Sequence, residues 1–310
     1  MAALKKDITE TITEAAVRVA RAVKARAVFA YADALNEARG LQELSAASIE
    51  LILVARDQKD RQRAAALASK VLMVPPVSLT RMGQIKTAVL IAFSQRLLAP
   101  GDTFVFLSGV SGQAIDTLVV MSVGDEYEMF QSVDQPQLTE HIRRAVFQRV
   151  FGLVMELASE GREGRPVGAL FVIGDYREVQ KYCQQNIINP FKGYAERERN
   201  ILDDSMIETV KEFSTIDGAF IIKGNGVIVS AGTTLRPGLA GEKLPPGLGA
   251  RHSAAAGITA STHSVAITLS ESTGTVRVWR RGQMITEIER AMRTSPPPAP
   301  PEPRGSSGGS

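Results

Sequence analysis

The stretch Thr215-Ile216-Asp217-Gly218-Ala219-Phe220-Ile221-Ile222-Lys223-Gly224-Asn225-Gly226-Val227-Ile228-Val229-Ser230 sets the reading of this chain. Two runs of apolar β-formers flank an Asn-Gly pair, a strong short-range hairpin signal. The spacing predicts a hairpin over 218–231, with Asp217 at the mouth of its first strand and a glycine beside it. Further on, Gly249-Ala250-Arg251-His252-Ser253 follows a Pro-Pro-Gly-Leu segment and leads into Ala254-Ala255-Ala256, which reads as the first turn of a helix. A helix start offers unpaired N–H groups and the positive end of a dipole, and so attracts phosphate. Arg251 and His252 add two donors there. Leu269-Ser270-Glu271, with Thr273 close behind, ends a third apolar run, at a position where ligand groups of open α/β sheets gather. An acid on one strand facing a basic helix start suits phosphate chemistry.

Asp217-Gly218-Ala219, Gly249-Ala250-Arg251-His252 and Ser270-Glu271 together resemble the diadenylate cyclase domain, which makes cyclic di-AMP from two ATP. Asn189-Pro190-Phe191-Lys192-Gly193-Tyr194 and Ser230-Ala231-Gly232 are similar to the branch of that family found largely in archaea and some bacteria. The resemblance covers about 160–285. It implies that each ATP 3′-hydroxyl attacks the α-phosphate of the facing ATP, and that pyrophosphate leaves. It implies Asp217 as the catalytic group, either as base or through a bound metal. Gly218, Ala219, Gly249, Ala250, Arg251, His252, Ser253, Ser270, Glu271 and Thr273 are then the ATP-binding set, with Leu235 and Gly249 shaping the adenine slot. A divalent ion, Mn²⁺ or Mg²⁺, would lie among Asp217, His252 and Glu271. His252 would either donate to phosphate or ligate the ion. Many family members read Arg-His-Arg where this chain has Arg251-His252-Ser253, so one cationic contact to the triphosphate is replaced by a hydroxyl. Joining two ATP molecules implies face-to-face self-association of two cyclase domains. The competing reading is a weakly active or inactive protein that senses ATP or a cyclic dinucleotide. A third is a scaffold whose N-terminal domain holds a small ligand near Ser108–Gly112.

The rest of the chain frames that centre. Its 310 residues suffice for two domains, and 44% apolar content predicts a soluble globular protein. A net charge of +3 is too mild to point to nucleic acid. The single cysteine, Cys183, excludes an internal disulfide and a cysteine-based zinc cluster, and it reads as a small apolar residue. With neither a bilayer-spanning apolar run nor the apolar core of a signal peptide, a cytoplasmic protein without a membrane anchor is expected. His141 and His263 read as structural.

Residues 1–135 are expected to form an N-terminal parallel α/β domain. It holds a helix over 7–24, strands at 27–31, 51–54, 71–74 and 103–107, and a helix over 82–98. Ser108-Gly109-Val110-Ser111-Gly112 lacks the ending of a nucleotide P-loop and reads chiefly as a tight turn. The segment around Ser78-Leu79-Thr80-Arg81-Met82, that strand and this turn are loosely similar to the C-terminal α/β domain of pyruvate kinase, which implies a regulatory role. Residues 136–294, after a boundary near Gln135-Pro136, are expected to form a mixed β-sheet cyclase domain wrapped by helices. Its helix over 138–159 either enters this domain or connects the two. Further helices are expected from about 176 and over 199–213, with strands at 167–173, 265–269 and 276–279. From Ser295 the chain is a Pro/Gly/Ser tail with too few apolar side chains to fold.

Overall fold

The structure is a computed structural model, and it describes residues 2–35, 49–68, 70–109, 114–124, 141–236 and 249–289. The boundary expected near 135, most of the turn after Ser108, the Pro-Pro-Gly-Leu segment and the tail lie outside these residues.

Two sheets organise the molecule. The first has the order β3-β2-β1-β4-β5, with β1 (Ala27–Tyr31), β2 (Glu50–Ala55), β3 (Lys70–Met73), β4 (Thr103–Gly109) and β5 (Ile115–Ser122). Its first four strands pair in parallel, as alternating strands and helices require. β5 was not foreseen, and it pairs antiparallel with β4, Ser108 opposite Thr117 and Gly109 opposite Ile115. The next described element after β4 is therefore an antiparallel strand and not a helix, whereas a strand leading into a helix is the arrangement that cradles phosphate in nucleotide loops. Helices α1 (Ala2–Ala22) and α2 (Gln58–Leu67) cover one face, and α3 (Arg81–Ser94) covers the other. α3 stops short of the expected 98 because Arg96 takes a left-handed φ of 62° and Leu97 N–H turns back to Ala92 O.

The second sheet has the order β12-β11-β10-β6-β8-β9-β7. Its strands are β6 (Ala169–Ile173), β7 (Cys183–Gln185), β8 (Ala219–Ile222), β9 (Ile228–Leu235), β10 (Val265–Leu269), β11 (Val276–Arg280) and β12 (Gln283–Ile288). Only β6 and β8 pair in parallel, so the sheet is mixed. The β8–β9 hairpin stands as expected, closed by Lys223 N–H to Val227 O and by a Gly226 φ of 100°. β7 and β12 were missed: one is three residues long, and the other carries polar residues along half of its length.

The helices of this half are α4 (Arg144–Glu160), α5 (Tyr176–Val179), α6 (Met206–Phe213) and α7 (Ala250–Ser261). α4 begins after the expected 138, because the Arg143 N–H is taken by Gly224 O and Ile142 is buried ahead of the helix. The helix expected over 199–213 is confined to its second half. Asn200 Oδ1 accepts from Leu202 N–H and Asp203 Oδ1 from Ser205 N–H, side-chain bonds that hold the chain in turns.

Both faces of the second sheet are dry. Phe171, Ile173, Phe220, Ile222, Ile267 and Leu269 point to α4, and Leu170, Val172, Ala219, Ile221 and Ala266 point to Ala255, Ala256 and Ile258 of α7. The α4 side of that sheet shares one apolar cluster with the α3 side of the first sheet, and α3 packs directly on β12 and α4. The layers run helix, sheet, helices, sheet, helix, with one core through the middle.

Candidate functional site

Register brings the sequence motifs to one end of the second sheet. Leu170 pairs with Ala219, which sets Gly168 beside Asp217; Leu269 pairs with Ala169, which sets Ser270 beside Gly168. Ala219 opposite Thr233 brings Leu235 level with Asp217 on the far side. α7 starts at the same end, with Gly249 as an exposed N-cap that offers no side chain to its free N–H groups. Arg251 and His252 thus lie inside the first turn of the helix, which begins at Ala250 and not at Ala254.

Arg251 is the hub. Its Nη2 lies 3.1 Å from Asp217 Oδ1 and its Nη1 3.6 Å from Glu271 Oε2. The Arg251 side chain is 31% exposed, whereas that of Asp217 is 92% and that of Glu271 61% exposed. The carboxylates therefore reach into solvent over a partly covered cation, and their ion pairs are worth little as stability. The space for the guanidinium comes from Gly168: a Cβ at that position would lie 2.6 Å from Arg251 Nη1 and 3.0 Å from Glu271 Cβ. Sequence reasoning missed Gly168, which passes for an ordinary strand residue; its one signal is a glycine where the first strand of the half begins. Gly218 is constrained differently. Its φ is 110°, and a Cβ there would meet the Gly232 carbonyl carbon at 2.6 Å, so only glycine lets β9 approach beside Asp217.

The other candidates fall into three groups. Ser253 and Ala250 are exposed on the first turn of α7. Ser270 and Thr273 shape the turn after β10: Thr273 N–H donates to Ser270 Oγ at 3.4 Å, and the Thr273 hydroxyl donates to Thr275 Oγ1 at 2.7 Å. Leu235 and Ala219 are buried in the cluster beneath α7, at the level of Asp217.

His252 is not brought to the carboxylates. It is 7% exposed, its Nε2 accepts from Arg277 Nη1 at 3.0 Å, and its ring lies 6.1 Å from that of Trp279. Burial, and then the Arg277 charge, lower it to about 4, so the ring is neutral at pH 7. With Nε2 accepting, Nδ1 carries the proton, and it has no partner among the described residues. Cys183 is half-buried with Sγ donating to Val179 O, and burial pushes its thiol up to about 11, far from a nucleophile's range.

Two carboxylates and no cysteine or free histidine form an oxygen donor set, which suits a hard cation sharing its ligands with phosphates. Among the described residues no cluster of three or more His, Cys, Asp and Glu stands ready to hold an ion by itself. No helix among them is long and apolar enough to cross a membrane.

Comparison with known proteins gives two family matches along the chain. Residues 156–284 match the family described as DisA bacterial checkpoint controller nucleotide-binding, and 9–130 match one described as probable sensor domain DacZ_P. A diadenylate cyclase of Methanocaldococcus jannaschii is 36% identical over 214 residues, which span 66% of this chain and 66% of that protein. A diadenylate cyclase of Haloferax volcanii is 38% identical over 199 residues, 64% of this chain and 72% of that protein. Among solved structures, DacA from Staphylococcus aureus is similar at 25% identity and a TM-score of 0.34, over 47% of this chain and 87% of that one. The chain belongs to the diadenylate cyclase family.

Proposed function

We propose that the chain condenses two ATP into cyclic di-AMP and two pyrophosphates, at the sheet end where Arg251 joins Asp217 and Glu271. The observation that carries this is the Arg251 guanidinium, seated over Gly168 between two exposed carboxylates and beside an uncapped helix start. Each 3′-oxygen forms a bond to the facing α-phosphorus, the bond from that phosphorus to the bridging oxygen breaks, and pyrophosphate departs. Asp217 orients the hydroxyl and takes up its proton. The N–H groups of Ala250 and Arg251, with the Arg251 guanidinium and the Ser253 hydroxyl, hold the triphosphate. Leu235, level with Asp217, and the exposed Gly249 shape the adenine slot. His252 supports Arg277 and keeps α7 seated on β11; a buried ring already accepting from an arginine is a poor ligand for a cation.

Asp217 and Glu271 would hold a divalent ion, Mg²⁺ or Mn²⁺, together with the phosphates. Such an ion, when bound, neutralises phosphate charge and polarises the α-phosphate. Each site holds one ATP, and the high exposure of Asp217 leaves its side open for a second. Two chains therefore meet face to face to react, and a lone chain binds ATP without joining it to another. The cyclase unit corresponds to 136–294. The unit 1–135, whose match to a probable sensor domain supports the reading, is regulatory and acts on the cyclase through the α3 contacts with β12 and α4.

Incubation of the full chain with ATP and either ion, followed by mass analysis, tests the proposal. Cyclic di-AMP and pyrophosphate are expected. ATP binding without product, from folded protein with both ions, would overturn it in favour of a nucleotide sensor.

A further inference from the structure

A cavity of about 690 Å³ opens at the opposite end of the second sheet, lined by His141, Arg143, Asp175, Tyr176, Arg177 and Lys223. Six residues of extended chain separate Asp217 from Lys223, about 20 Å at the rise of a strand, so one ligand does not fill both sites. Three cations face this cavity against a single carboxylate. The carboxylate is already engaged, since Asp175 Oδ2 accepts the His263 N–H at 2.7 Å. Lys223 pairs with Glu196 and lies 5.4 Å from the centre of the Tyr176 ring, held over its face. Arg143 and Arg177 pair with no carboxylate among the described residues. Arg143 stands at the N-cap position of the seventeen-residue α4, with no capping bond from its side chain, and the helix dipole adds positive potential to the same wall. Arg143 and Arg177 are both exposed, so their guanidiniums are open to an anion arriving from solvent. Their planar forks match phosphate oxygens.

We propose that this cavity is a second binding site, for a small molecule carrying phosphate groups. Its two guanidiniums without an ion pair among the described residues suit a diphosphate or the phosphate chain of a nucleotide. A volume within the usual range for small-ligand sites, about 300–1,000 Å³, favours a compact ligand.

Calorimetry on the full chain without divalent ions tests this, with inorganic pyrophosphate and ATP as separate probes. The Arg251→Ala variant takes the guanidinium out of the phosphate grip at the other sheet end and so weakens binding there. In that background one molecule of pyrophosphate or ATP should still bind per chain. Adding Arg143→Gln and Arg177→Gln, both exposed and without an ion pair among the described residues, should weaken binding about tenfold or more, as loss of two charge-assisted bonds predicts. ATP binding tighter than pyrophosphate assigns the site to a nucleotide; equal binding assigns it to the phosphates alone. Binding that survives the two glutamines unchanged, or that is absent from the Arg251→Ala chain for both probes, overturns the proposal. Failure of the wild type to make cyclic di-AMP would leave this result standing, because binding is read without turnover.

Discussion

Gly168→Ala isolates the seat of Arg251 from the fold around it. The added methyl would lie 2.6 Å from Arg251 Nη1 and 3.0 Å from both Arg251 Cζ and Glu271 Cβ. Optimal contacts of this kind lie at about 3.5–4.0 Å, so the guanidinium has to retreat by about 1 Å. A retreat of that size breaks its bond to Asp217 and misplaces it for phosphate. Hydrogen bonds to charged groups are worth about 1.5–3 kcal/mol, so kcat/KM for cyclic di-AMP formation should fall about 10- to 150-fold. Stability should change by about 1 kcal/mol or less, because the backbone of Gly168 is not left-handed and the nearest displaced group is the end of a flexible side chain. Kinetics and thermal unfolding, run together, separate the two effects. Gly152→Ala, on α4 with open space at its Cβ, is the control and should leave turnover intact. A Gly168→Ala enzyme with wild-type kcat/KM would refute the placement of Arg251 as the phosphate grip.

Three other outcomes follow from the same geometry. Asp217→Asn should lower kcat by about 10² or more while ATP affinity, read by calorimetry, changes little, and turnover close to wild type would take Asp217 out of the reaction. Gly218→Ala should cost about 2–4 kcal/mol in urea unfolding, since its φ of 110° is left-handed and the methyl meets the β9 backbone, which cannot yield; an unchanged midpoint would contradict that strand approach. His252 is lowered from 6.5 to about 4 by burial, so the unfolded chain takes up this proton first as the pH falls; its contribution is complete above about pH 6.5 and is lost between there and 4. His252→Asn should therefore flatten the stability profile across that window, and a slope equal to wild type would show that the ring is not buried neutral.

The strands of this chain were legible where both faces are buried. Leu51-Ile52-Leu53-Val54 and Val265-Ala266-Ile267-Thr268-Leu269 read as continuous apolar runs because helices cover each side of the sheet, and the structure places both where expected. The edge strands β5, β7 and β12 were not, although the edge strand β3 was. β5 carries Asp116 and Thr117, which meet the exposed Arg81 side chain, and β12 carries Thr286 and Glu287, with Glu287 pairing Arg277. Polar side chains with partners outside their own segment dilute a strand's pattern, and pairing with β4 and β11 supplies what propensity does not. Helix ends were misplaced for a similar reason. The limits of α3, α4 and α6 are set by Arg96, by Gly224 O and by the Asn200 and Asp203 side chains, single contacts to which periodicity is blind.

The site was legible as a set of motifs, because its residues come in three short clusters with distinctive chemistry. What sequence left open was the depth of each side chain. Arg251 and His252 are neighbours, yet one residue along a helix turns the side chain by about 100°. That step carries Arg251 to the open carboxylates and His252 under β11, against Arg277 and Trp279. Two adjacent basic residues, which look like one phosphate grip, thus divide into one that meets ligand and one that holds the helix in place. Gly168 shows the converse. It has no side chain with which to announce a role, and its part in the site is the volume it leaves empty beneath the guanidinium. Such a role exists only once register has brought β6, β8 and β10 together, so it follows from pairing over separations of 49 residues (Leu170 to Ala219) and 100 residues (Ala169 to Leu269) and from nothing local.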